Sequence, residues 1–263
     1  MDIPFESNDS LKIDLSKAET PPSVASSAAN RSNVEPETIF IWIDILGFSA
    51  LVENESKYNE LLGLLKDFFE SFNKLNASAE CHRISDGIIL KLKPNIRNAD
   101  VVRQFFEDVM SVQKTFLLRR RFLRGGIAVG SKFNITNIDN GFYISNGLAR
   151  AYNLESNSIT WPIIGTNERF LNDICSIYGE NVKEIFDITY SENKDKIYYL
   201  NFYKKLSGNE LNEVYENILN NISNTEKNPR VQHKYIWIQK MLEKINENLI
   251  TLRCPNCGGT THA

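Results

Sequence analysis

No run of about 18 apolar residues occurs in the chain, and its first residues lack a basic region followed by an apolar core. Neither a membrane span nor a secretory signal is expected, and the expected compartment is the cytoplasm. Cysteine is sparse: there are four in 263 residues, two of them in the run Cys254-Pro255-Asn256-Cys257. That usage does not make a disulfide framework and suits a reducing compartment. An excess of one charge is missing too. With 30 Lys+Arg against 33 Asp+Glu the formal net charge is −3, so no general field draws the chain toward nucleic acid or an anionic bilayer. Any phosphate handling has to come from local groups. A zinc-dependent nucleic-acid module is disfavoured as well, because Cys254 and Cys257 supply half of a four-ligand site and only His262 lies nearby.

What is present sorts into three parts. Residues 1–36 carry Thr20-Pro21-Pro22 and a Ser/Ala run with little hydrophobic periodicity, which predicts a disordered tail. From 37 to 205 the pattern is that of an α+β domain. Ile39-Phe40-Ile41-Trp42-Ile43 reads as a buried central strand, followed through Gly47 by a long amphipathic helix carrying Leu61, Leu65, Phe68 and Phe72. Two strands, 81–84 and 88–92, flank the tight-turn signal Ser85-Asp86-Gly87. A helix over 101–118, a strand over 122–129, a short helix over 146–155, a helix from about 167 and β-rich segments near 185 and 197 follow. This order, with mixed strand directions, implies α+β architecture. Residues 206–263 form a C-terminal helical extension with two helices and a Cys-containing tail; Tyr235, Trp237 and Ile238 are expected to pack into the core.

Asp44 interrupts an apolar strand just before a turn, where an unpaired carboxylate would be several kcal/mol unfavourable. It requires a cation, or else it caps the next helix or pairs with a structural arginine. If the first strand lies beside the 80–92 hairpin, Asp86 at the tip approaches Asp44, and two like charges brought together favour a divalent metal. Gly47 lets backbone approach a ligand, and the N–H groups of the helix start could face an anion. Arg124, before Gly125-Gly126, offers a fixed guanidinium for a triphosphate or is a surface arginine ending a basic run.

Asp44-Ile45-Leu46-Gly47-Phe48-Ser49, then Ile84-Ser85-Asp86-Gly87, then Leu123-Arg124-Gly125-Gly126-Ile127-Ala128-Val129-Gly130, in that order, resemble the motifs of class III adenylate and guanylate cyclase domains. The run Asn146–Ser156, Trp161-Pro162 and Lys234-Tyr235-Ile236-Trp237 look like the Pycsar pyrimidine cyclases of bacterial anti-phage defence. The resemblance covers roughly 38–240. It implies a ferredoxin-like βαββαβ core and a homodimer with active sites at the subunit interface. It also implies two Mn²⁺ or Mg²⁺ ions per site, held by Asp44, Asp86 and the backbone of Ile45. One ion would acidify the ribose 3′-hydroxyl and the other would bridge the phosphates, with Arg124 steadying the pyrophosphate. Gly47, Phe48, His82, Phe142 and Asn153 are the implied substrate-binding positions. The implied reaction is UTP to 3′,5′-cyclic UMP, with CTP to cyclic CMP as the alternative, and the product would act on a separate effector protein in antiviral defence.

Departures from the pattern bear on base choice. Relatives that make cyclic AMP carry a lysine where this chain has His82 and an acidic residue where it has Phe142, so purine readout is not expected. His82 has a plain structural reading beside that one. An Asn and an Arg four apart, used elsewhere for transition-state charge, align with Ala149 and Asn153, and Arg150 is expected to point elsewhere. A catalytically silent, cyclase-like sensor is the competing expectation.

Overall fold

The computed structural model describes residues 34–133, 144–225 and 228–253. Phe142, the Cys254/Cys257 pair and residues 1–33 of the expected tail lie outside them. The rest of that tail is engaged: Val34 bridges to Phe133, and the Glu35 N–H donates to the Lys132 carbonyl at 3.0 Å.

The apolar run at the start of the domain becomes β1 (Thr38–Ile45), with Ile39, Phe40, Ile41 and Ile43 wholly buried. Both faces of this strand are covered, which is why its sequence does not alternate. The chain then turns at Gly47, which adopts the left-handed region at φ 81°. Here the structure differs from expectation. A short helix α1 (Phe48–Val52) and a 3₁₀ turn precede the long helix α2 (Tyr58–Asn73). The Asn54 side chain accepts from the Ser56 N–H and so breaks the helix in two. β2 (Ala79–Ile84) and β3 (Gly87–Leu92) form a hairpin with the two-residue loop Ser85-Asp86, in which Ser85 takes φ 52°. α3 (Ala99–Leu118), capped by Asn98, leads to β4 (Leu123–Gly130). Up to this point the order is βαββαβ and the neighbours run β2-β3-β1-β4, all antiparallel. That is the ferredoxin-like arrangement that the resemblance implies.

Two short strands, β5 (Lys132–Phe133) and β6 (Ile144–Ser145), precede α4 (Asn146–Ser158), whose N-cap is Ser145. β7 (Ile164–Thr166), which sequence reading passed over, pairs parallel to β4 and extends the sheet. α5 (Glu168–Tyr178), β8 (Phe186–Tyr190) and β9 (Lys196–Leu200) complete the seven-stranded order β2-β3-β1-β4-β7-β9-β8.

α2 and α3 cover one face, where Ile39, Ile41 and Ile43 meet Phe68, Phe105 and Phe116 in one apolar cluster. α4 covers the other, close against β4. A β-carbon on Gly126 would stand 2.0 Å from the Ala151 carbonyl oxygen, so glycine at this position sets how near α4 comes.

The C-terminal helices α6 (Gly208–Asn224) and α7 (Pro229–Arg253) share the same core through Leu211, Ile218, Ile238 and Leu242. Trp237 stacks on Trp161 with ring centroids 5.5 Å apart, and Tyr235 meets Phe122 edge-on, as expected of a packing cluster. No described helix is long and apolar enough to cross a membrane.

Candidate active site

Sheet register assembles the site. Asp44 is paired across to Gly87 on β3 and to Arg124 on β4. Cross-strand partners share a face, so Asp44, Arg124 and the residue following Asp86 stand in one row on the α4 side. The hairpin lies beside β1 as required for Asp86 to approach Asp44. A β-carbon on Gly87 would fall 2.3 Å from the Trp42 indole, so this turn sits directly on the β1 side chain.

The Arg124 guanidinium donates to Asp44 Oδ2 at 3.2 Å and also forms an ion pair with Glu155, a residue of α4 that is 2% exposed. Of the readings open for Asp44, pairing with an arginine is realised in this chain. The pairing is incomplete, because Asp44 Oδ1 is buried without a hydrogen-bond partner among the described residues. Burial pushes the Asp44 carboxyl above its ordinary range, with Arg124 opposing and the Asp86 charge adding to the rise. Burial also raises Glu155, helped by the Asp44 charge. On α7, Lys234 is held below the usual lysine range by burial and by the like charges of Arg124 and Arg230.

The metal question turns on donors. No group of three or more His, Cys, Asp or Glu side chains that could hold an ion is assembled among the described residues. Asp44 and Asp86, with the Ile45 carbonyl, are hard oxygen donors, and Asp44 has a free buried oxygen. Mg²⁺ and similar ions are commonly held by one or two carboxylates with the remaining positions filled by water and substrate phosphates, so this set fits such an ion once a polyphosphate is bound.

The other sequence-derived positions are spread out. Gly47 is exposed and Phe48 packs against the core. Because α1 is five residues long, the cradle expected there is a single turn rather than the end of a long helix. His82 lies on β2 in register with Ile89, which faces Trp42, so it shares the face of Asp44. It stands two strands and one row away, about 12 Å by ordinary sheet spacing. Its Nε2 is 3.6 Å from Glu80. Asn153 is exposed on α4, beside Tyr152, which meets Trp42 edge-on at 5.7 Å. Arg150 donates to the Val129 carbonyl at 2.8 Å and is thereby turned to the sheet, as expected.

Two residues at the centre were missed from sequence. Glu155 lies one helical turn after Ala151, the residue on Gly126, so the α4 face that meets the glycine pair carries it to Arg124. Lys234 belongs to the Lys234-Tyr235-Ile236-Trp237 run that carries part of the resemblance, with no role attached to its charge.

No protein-family model matches the chain, and no curated protein matches it significantly. Solved structures that it resembles include the dimeric guanylyl cyclase domain of the RhoGC fusion protein from the aquatic fungus Blastocladiella emersonii, at 16% identity and TM-score 0.47, covering 64% of this chain and 97% of that one. A bacterial light-regulated adenylyl cyclase is similar at 16% identity and TM-score 0.46, covering 64% and 91%. The guanylyl cyclase Cya2 is similar at 15% identity and TM-score 0.46, covering 63% and 91%. Identities this low carry no residue assignment.

Proposed function

We propose that the chain is a nucleotidyl cyclase that closes a ribonucleoside triphosphate into its 3′,5′-cyclic monophosphate. The observation that carries this reading is the half-buried, half-paired Asp44 in one row with Arg124 and the Asp86-Gly87 turn. The second Asp44 oxygen, buried without a hydrogen-bond partner among the described residues, is the position at which a ligand would meet this carboxylate. Asp44 and Asp86 would hold Mg²⁺ or Mn²⁺, which when bound supplies Lewis-acid stabilisation of phosphate charge and acidifies a nearby hydroxyl. Arg124, fixed from behind by Glu155, is pre-oriented to meet negative charge without reorganising during the reaction. The ribose O3′ attacks the α-phosphorus, the bond from that phosphorus to the β-bridging oxygen breaks, and pyrophosphate leaves with the electron pair. The 3′-hydroxyl proton is released to solvent.

For the base we propose a pyrimidine, uracil before cytosine. His82 stands where an adenine reader carries lysine, and a site lacking the paired donor and acceptor for a purine edge forgoes that discrimination. The active unit is proposed to be a homodimer, with the 146–156 helix of one subunit completing the site of the other, and the product a messenger for a separate effector in anti-phage defence. The test is turnover efficiency for UTP, CTP, ATP and GTP at one Mn²⁺ concentration. A pyrimidine is expected to lead. A purine preferred by tenfold, equivalent to about 1.4 kcal/mol, would overturn the base assignment but not the cyclase reading.

The second reading, a silent nucleotide sensor, draws on Arg124 being engaged by two carboxylates. In that case triphosphate binds and no cyclic product forms.

A further inference from the structure

Beside the Asp44 row lies a cavity of about 190 Å³ between the end of α4, the β8–β9 turn and the first turns of α7. Arg124 forms one wall, and α7 contributes Arg230 and Lys234. These two are four residues apart, hence on one face of the helix, where like charges repel. They also sit in its first turns, at the positive end of the helix dipole, and that first turn carries no acidic residue. The backbone N–H groups of Val231 and Gln232 are already taken by Asn228. Neither Arg230 nor Lys234 has an ion pair or side-chain hydrogen bond among the described residues. Glu192 is the carboxylate on the wall; it forms no ion pair with either among the described residues, although its charge and that of Asp44 act favourably on Lys234. Three basic groups thus converge on a polar cavity from two separate elements; Arg124 already meets Asp44 and Glu155, whereas Arg230 and Lys234 face the cavity with no ion pair among the described residues, and an anion there would offset their mutual repulsion.

We propose that Arg230 and Lys234 of α7, with Arg124, form the binding pocket for the pyrophosphate portion of the nucleoside triphosphate. The extension is then part of the site as well as packing. A single phosphate would meet one or two of these groups, whereas a chain of two phosphates can reach from Arg124, next to Asp44, to the α7 pair. This places the reacting phosphorus on the Asp44 side and the leaving group on the α7 side. The proposal rests on the cyclase reading for the identity of the ligand, and the geometry of the pocket stands apart from it.

The experiment is calorimetric titration of the full chain with inorganic pyrophosphate at fixed Mg²⁺, for wild type, Arg230→Met, Lys234→Met, the double variant and Lys240→Met. Lys240 is on α7 but lines a different cavity. Each single change should weaken pyrophosphate about fivefold to tenfold, the double change further, and Lys240→Met not at all. Without ligand the single variants should melt no lower than wild type, since each removes a repelled cation; pyrophosphate should raise the wild-type melting temperature and leave that of the double variant unmoved. Equal binding by wild type and double variant, or no binding by wild type, overturns the proposal. Product assays on the same samples separate the two readings. Cyclic product with unaltered pyrophosphate binding in the variants sinks the pocket and keeps the cyclase, while pocket-dependent binding without any cyclic product does the reverse.

Discussion

At the scale of the residue, the chemistry converges on two carboxyl groups that are both held above their ordinary range, chiefly by burial. A carboxyl whose folded value is raised binds more protons in the folded than in the unfolded state between the two values. The contribution of Asp44 and Glu155 is therefore favourable at the acid end and declines as pH rises through that window. Thermal melts of metal-free protein from about pH 4 to about pH 7 should show this decline, and Asp44→Asn should flatten it. A wild-type curve that climbs across the window with the variant parallel to it would mean that these groups are not destabilised by burial. Divalent metal should reverse the trend, because it binds the ionised form. Sequence alone gave Asp44 as a carboxylate in an apolar strand. It did not reveal which countercharge it meets, since Arg124 is 80 positions away and Glu155 reaches it only through the packing of α4.

At the scale of the element, the approach of α4 to β4 is the feature on which Arg124 depends. Gly126→Ala would drive a methyl group into the Ala151 carbonyl, and relief requires α4 to move. Overpacking of this kind destabilises by about 1–3 kcal/mol. A lower denaturation midpoint together with loss of cyclisation is expected, whereas unchanged stability and activity would show that α4 need not sit so close. Most elements were legible before the structure because their apolar periods are long: β1, α2, α3 and α5 each carry a run that buries a face. β7 was not, because Ile164-Gly165-Thr166 is too short to show a period and is a strand only by pairing with β4 and β9. The interruption between α1 and α2 was hidden for a different reason. It rests on the Asn54 side chain competing for a backbone N–H, within a stretch of otherwise helical composition.

At the scale of the whole molecule, the extension and the domain share one hydrophobic core, so α7 is part of the folded domain's packing. Tyr152 and Asn153 are exposed on the outer face of α4, the face that the proposed dimer would bring to a neighbouring subunit's site. Provided that Asp44→Ala and Asn153→Ala each disable the enzyme singly, mixing the two kinds of subunit should restore part of the activity through hybrid sites. Absence of recovery, with hybrid dimers demonstrated, would confine the site to one chain. The central claim is tested most directly by product analysis. Purified full chain with Mn²⁺ and the four ribonucleoside triphosphates should release cyclic monophosphate and pyrophosphate in equal amounts, and correctly folded Asp44→Ala and Asp86→Ala proteins should release neither. No cyclic product from the wild-type chain with any of the four triphosphates, or near-normal product from either aspartate variant, would contradict it.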